Sequence, residues 1–338
     1  MARRAPVIAL YPLRFEPIYQ YRLWGGRRSS RLLTAPLPGT EPIGEAWLLS
    51  DRDDHPSLVA DGPLAGTSLR RLLEEFPVQM LGGRCAHFTR FPLLLKFLDV
   101  SGKLSVQVHP SDADKQLIPA GDTGKTEAWV VLEAGPGARI FAGLKSFTRA
   151  AVLRQAIADA TLADWLASFT PNPGDAVLIP AGTVHSLSDV VVFEVQQNSD
   201  VTFRLYDWGQ LDPRTGQRRA LQVDQAMACV DFRQGAISPT IALVEQTKPV
   251  LRERLVQCDQ FSVTRIRGER PFGVGAQSTP RVMVCLSGNG QLENAGADYA
   301  FSKGDVLLLP AIVGACSCRP QGPVTLLDIS LPEDAVTA

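Results

Sequence analysis

Histidine is scarce in this chain: only four occur in 338 residues, so a site that needs imidazole has few positions to draw on. Cysteine is equally uninformative as a framework. The six thiols stand at 85, 229, 258, 285, 316 and 318 without a single C-x-x-C pair, which speaks against a zinc ribbon or a disulfide-stapled domain and for reduced thiols in a core. Cys316 and Cys318 would share one side of a strand, but no His or further Cys lies near them in sequence. No run of like charge exists either; 34 Lys and Arg nearly cancel 35 Asp and Glu, so neither a nucleic-acid nor a membrane surface is expected. Long hydrophobic runs are also missing. "MARRAPVIALYP" opens with basic residues, yet its apolar stretch is broken by Pro and too short for a secretory signal. These features lead to the expectation of a soluble cytoplasmic protein.

What remains is a chain that is 45% apolar and 20% charged, long enough for two domains or for one large β-rich unit with a helical insertion. Short strand-like runs separated by Gly, Pro and Asp dominate, among them "PLLLKFLDV", "LSVQVH", "EAWVVLEA", "ARIFAGL", "DAVLIPA", "VVVFEVQQ", "VTFRLYDW", "RVMVCLSG" and "DVLLLPA". That pattern suits a β-sandwich or barrel better than alternating strands and helices. Helical periodicity predicts helices over 67–76 and over 146–169, with a third covering "ALQVDQAMACVDF". "NPGDAVLIPAGTVHSL" and "SKGDVLLLPAIVGACS" both run Gly-Asp, an apolar stretch, Pro and a turn, so the barrel is expected to be duplicated. Only the first copy carries a His, at 185.

Within "KLSVQVHP" successive side chains alternate, placing Ser105, Gln107 and His109 on one face and Leu104, Val106 and Val108 on the other. His109 or His185 alone would be read as a satisfied core histidine. Glu127 changes that reading, because a carboxylate opening the apolar run "EAWVVLEA" is costly to bury without a cation or a partner. Gln107, His109, Glu127 and His185 together make a chemically reasonable Zn²⁺ site. Lys125, two residues before Glu127, would project into the same cavity. It is then either an amine whose pKa is depressed by a cation or a surface side chain of a Gly-rich loop. Arg204, on the polar face of "VTFRLYDW", either pairs with Glu194 or Asp207 or presents its guanidinium to a bound anion. Glu194 and Gln196 repeat the alternation in "FEVQQNSD", and the polar faces of the two segments are expected to line one pocket.

"LSVQVHP", "GKTEAW", "PGDAVLIPAGTVHSL" and "QQNSDVTFRLYDWG" resemble the signature blocks of type I mannose-6-phosphate isomerases, the cupin phosphomannose isomerases, in their short bacterial form. "LWGGRR" and "IGEAWLLSD" are similar to the family's N-terminal blocks, with Ala46 and Leu48 where Ser and Glu are usual. The resemblance implies a mainly β fold, a duplicated cupin (jelly-roll β-barrel) with a small helical insertion. A catalytic cupin would occupy 1–145 and 170–235, the insertion 146–169, and a degenerate barrel without metal ligands 236–338. It implies one Zn²⁺ per chain on Gln107, His109, Glu127 and His185, with Arg204 and Lys125 catalytic. The implied reaction interconverts mannose 6-phosphate and fructose 6-phosphate through a cis-enediol. Ser105, Lys125, Arg204 and Glu194 are the implied substrate contacts. The proton is carried by Lys125, Glu194, Asp207 or a water on the ion. A small sugar phosphate is the implied partner of a monomer or homodimer. The rival readings are a metal- and sugar-binding cupin without turnover and a metal-dependent cupin dioxygenase, the latter disfavoured because Gln107 stands where redox cupins use imidazole.

Overall fold

A computed structural model describes residues 9–331. The apolar runs become strands of three sheets, with nine, seven and four strands, whose pairings are antiparallel throughout. The fold is thus mainly β, as the turn-punctuated short runs require. No helix among the described residues is long and apolar enough to cross a membrane.

The nine-stranded sheet positions the site. Its spine is His185–Gln197, flanked on one side by Leu93–Lys103 and on the other by Glu127–Leu144. Nearly every residue of that spine is buried, which is why "VVVFEV" reads as a continuous apolar run with few charges. The stretches "EAWVVLEA" and "ARIFAGL", which look like two strands in sequence, form the single strand Glu127–Leu144 with a register shift between Ala134 and Arg139. Gly135 makes this possible, since a Cβ there would lie 2.0 Å from the Asp189 carboxylate. Phe203–Tyr206 pairs with Val106–Val108, which in turn meets His185. The strands carrying Arg204 and Glu194 are therefore not neighbours as their alternation suggested; the short strand with Gln107 lies between them.

The seven- and four-stranded sheets are built from the C-terminal third, with one exception. Leu13–Arg14 pairs with Val306–Leu309, so the N-terminal segment enters the sheet of the second unit. Leu13 is completely buried there. One hydrophobic cluster runs from Phe97 and Phe193 in the first unit to Phe261, Val284 and Leu327 in the second. Register makes the repeat concrete. Glu127 faces Ile179 just before Pro180, and Arg281 faces Leu309 just before Pro310. Likewise Gln107 faces His185, and Val274 faces Cys316. In the second unit these pairings involve Arg281, Val274 and Cys316, while the residue that the sequence repeat matches to His185 is Ala315.

Helices form at Leu69–Glu75, where the Ser68 side chain accepts from the Arg71 N–H as a cap, and at Val223–Cys229. The expected helix over 146–169 is much shorter. It spans Ala150–Ala158 and ends as Ala160 takes a positive φ of 56°; a 3₁₀ turn and the strand Leu166–Phe169 follow. Leu162 and Leu166 still reach the core cluster of Val106, Leu153 and Leu205, so burial at those positions is kept although the backbone is no longer helical. Tertiary packing, not helical period, sets those positions.

Candidate active site

The strand ends Val106–Val108, Glu127–Leu144 and His185–Gln197 converge at one point. One ligand atom each from His109, Glu127 and His185 lies within 4.8 Å of the others. His185 Nε2 stands 3.3 Å from Glu127 Oε1, and His109 Nε2 stands 3.5 Å from Glu127 Oε2. Each Nδ1 is turned away and meets a backbone carbonyl, Val201 O at 2.8 Å for His109 and Thr183 O at 2.9 Å for His185. With Nδ1–H donated to carbonyl oxygens, both Nε2 lone pairs face inward, the arrangement in which backbone acceptors orient metal-ligating imidazoles. Gln107 closes the group, its Nε2 3.2 Å from His185 Nε2.

These residues fit a divalent cation on their own chemistry. Glu127 is 1% exposed, and neither carboxylate oxygen receives a well-formed hydrogen bond among the described residues, although Lys125 Nζ lies 2.9 Å from Oε2. A buried carboxylate faced by a single ammonium still has lone pairs to satisfy, and a divalent cation would satisfy them. Burial, then the charge of Lys125, brings the His109 pKa down to about 3. Burial also lowers His185, and Lys125 with the two histidines outweighs burial to hold Glu127 well below the usual carboxylate range. All three groups are therefore in their ligating forms near neutrality. The same shifts predict an acid dependence of folding. An unfolded chain binds protons at these histidines near pH 6.5 while the folded one does not, so stability is complete above that pH and falls as pH drops toward about 3. Urea midpoints of the chelator-treated protein should fall between pH 7.5 and pH 5, and His109→Gln should flatten that slope; a midpoint indifferent to pH in both proteins contradicts the assignment.

A cavity of about 440 Å³ adjoins this centre at Gln107 and Lys125, and its wall also carries Glu194, Arg204, Arg22 and Arg219. Lys125 is not a surface side chain. It is 4% exposed, and although burial opposes its charge, Glu127 and then Glu194 raise its pKa. Arg204 has no side-chain partner among the described residues, and its buried Nε–H donates to none of them. Asp207, one of its expected partners, is taken by Arg219 Nε at 2.8 Å. Burial and then the nearby Arg219 lower the Arg204 pKa, so this guanidinium is poised for an anion. The Asp207–Arg219 pair also removes Asp207 as a candidate base. Glu194 accepts from Trp129 Nε1 at 2.9 Å and lies 3.6 Å from Lys96 Nζ. Burial first, then Glu127, raises its pKa, as a carbon-acid base requires. Ser105 does not reach the cavity. It is 1% exposed and its hydroxyl donates to Gln107 Oε1 at 3.1 Å, so it is not placed to hold a phosphate.

Besides Arg22 and Arg219, two buried wall residues, Lys96 and Glu45, escaped the reading of the sequence. Lys96 lies between Glu194 and Glu45, 3.7 Å from the latter, and is 3% exposed. Glu45 also pairs with Arg22 Nε at 2.8 Å and accepts from Trp47 Nε1. Burial opposes the Glu45 charge, but Lys96 and Arg22 lower its pKa to about 2. A signal existed: "PLLLKFLDV" and "IGEAWLL" each hold one charge inside an otherwise apolar run, which burial tolerates only with a partner.

The model of the phosphomannose isomerase type I catalytic domain matches residues 13–126. A mannose-6-phosphate isomerase of Bacillus subtilis is 32% identical over 305 residues, covering 90% of this chain and 94% of that protein. One from Streptococcus mutans is 32% identical over 304 residues, covering 88% and 92% respectively. Among solved structures, the mannose 6-phosphate isomerase of Bacillus subtilis superposes with a TM-score of 0.86 at 29% identity, covering 95% of this chain and 99% of that one.

Proposed function

The chain belongs to the type I phosphomannose isomerase family, and from that premise we propose that the cavity adjoining the Glu127 centre interconverts mannose 6-phosphate and fructose 6-phosphate. The reaction moves a carbonyl between C1 and C2, so a proton leaves one carbon and returns to its neighbour through a cis-enediol. The observation that carries the reading is the buried His109, Glu127 and His185 cluster adjoining a cavity that presents Lys125, Glu194 and Arg204.

In the proposed division of labour, Gln107, His109, Glu127 and His185 hold one Zn²⁺, which when bound polarises the sugar oxygens as a Lewis acid. Glu194, with its raised pKa, takes the proton from C2 of the aldose and delivers it to C1 of the ketose, both positions lying on one face of the planar enediol. Arg204 and the Lys125 ammonium supply positive charge where the enediolate oxygen develops. Lys125 thus serves as a cation and not as the base. Arg219, which also lines the cavity, offers the guanidinium donor not engaged by Asp207 to the phosphate. The C-terminal unit, with Ala315 where the repeat matches His185, serves packing.

A binding-only role would need Arg204 or Lys125 turned out of the pocket; both line it, which supports turnover. A coupled assay for fructose 6-phosphate formation should lose its signal after chelation and regain it with Zn²⁺, while elemental analysis should find one ion per chain. Substrate binding without product at any metal load would favour the sensing role and overturn the isomerase reading.

A further inference from the structure

The Ser105 hydroxyl is spent inside the protein, and what it touches is the amide of a proposed ligand. We propose that Ser105 is a positioning residue that keeps the outward edge of the Gln107 amide hydrogen-bonded in either orientation, and so lets the amide oxygen turn to the metal centre without stranding a buried polar atom. The inference rests on the cation site argued above.

Three contacts fix the backbone that carries Ser105. The Leu104 carbonyl accepts from Ser186 Oγ at 2.7 Å and from Trp208 Nε1 at 2.7 Å, and the Leu104 N–H donates to Leu187 O at 2.8 Å. From this clamped position the serine donates to Gln107 Oε1 at 3.1 Å, leaving Gln107 Nε2 to face His185 Nε2. That arrangement is self-consistent without an ion: His185 Nδ1–H is committed to Thr183 O, so its Nε2 is a lone pair and accepts the amide N–H. A cation that claims this lone pair makes the same amide hydrogen unwelcome and asks for an oxygen. Half a turn of the amide about its terminal bond exchanges the two atoms. Nε2 then faces Ser105, whose hydroxyl, able to donate in one state and accept in the other, pairs with it in both. A methyl or carboxylate at 105 could not serve both states. Both side chains are nearly sealed, at 1% and 8% exposure, so water does not substitute for the missing partner.

The test is a titration of cation-free protein with Zn²⁺ against a competing fluorescent chelator. Ser105→Ala should weaken cation affinity by about 10- to 100-fold, the range expected when an outer partner of a ligand is lost. Ser105→Cys, nearly isosteric but a weak hydrogen-bonding group, should weaken it in the same direction, and Ser105→Thr should restore it. The Michaelis constant at saturating Zn²⁺ should stay within about 2-fold of the parent, because the hydroxyl touches no substrate. In a Gln107→Ala background, Ser105→Ala should add nothing further, since it acts only through the amide. Far-ultraviolet circular dichroism identifies any variant that fails to fold, and the Thr and Cys comparison then decides. Unchanged Zn²⁺ affinity in Ser105→Ala and Ser105→Cys with a raised Michaelis constant would overturn the inference in favour of a phosphate contact. Parent protein that binds no Zn²⁺ would overturn both this inference and the metal reading beneath it, whereas equal binding by parent and variants sinks this inference alone.

Discussion

His185→Ala is expected to lose bound cation and turnover together. The imidazole is fully buried, oriented through Nδ1 by Thr183 O, and 3.3 Å from Glu127 through Nε2. Removing it takes away one of two nitrogens and leaves Glu127 without its neighbour in a sealed site. Loss of a cation that stabilises developing charge by several kcal/mol should reduce kcat by on the order of 10³-fold or more. The ring also packs edge-on against Trp129 at 5.5 Å, so truncation leaves a void; His185→Leu, closer in volume and without a ligating atom, should show the same coupled loss. Elemental analysis and the coupled assay, run on the same preparation, read both quantities. A variant that folds, holds no ion and still turns over at the parental rate would remove the cation from the mechanism.

Arg204→Ala is expected to separate what His185→Ala joins. The guanidinium touches none of the proposed ligands, and its backbone N–H and C=O are both bound to Gln222, at 3.1 and 2.9 Å, so cation content should be unchanged and the strand should keep its place. Deleting a side chain that lacks an internal partner leaves no buried anion behind; Asp207 remains paired with Arg219. Stability should therefore hold or rise slightly, because an unfavourably buried charge is gone. Turnover should fall by on the order of 10²–10³-fold, as for the loss of one preorganised donor at a developing oxyanion. Arg204→Lys should recover only part of it, since an ammonium cannot reproduce the planar fork. The outcome that defeats the assignment is a parental kcat in a folded, Zn²⁺-loaded Arg204→Ala protein.

The two variants probe residues whose legibility in sequence differed. Gln107 and His109 could be placed on one face because a strand has period two, and Glu127 stood out as a carboxylate opening an apolar run. The same rule applies to Lys96 and Glu45, but a lone charge in a strand reveals only that some partner exists. Its identity depends on which strands become neighbours: Lys96 faces Glu194 across the pair formed by Leu93–Lys103 and His185–Gln197. Arg204 illustrates the limit in the other direction. Its two expected partners were close in sequence or on a similar strand, yet Asp207 went to Arg219, reached through a loop, and Val106–Val108 came between Arg204 and the strand of Glu194.

Local chemistry thus determined the β class, the alternation that segregates amide and imidazole from the core face, and the presence of buried charges needing compensation, because each follows from strand geometry and the cost of desolvation along a few consecutive residues. Only the tertiary structure decided that Gln107, Glu127 and His185 meet, that Lys125 is buried against Glu127, that the Ser105 hydroxyl turns inward, and that the helix after Phe147 stops early. The meeting of the ligands depends on how segments far apart in the chain approach and orient toward one another, and local alternation does not encode that approach.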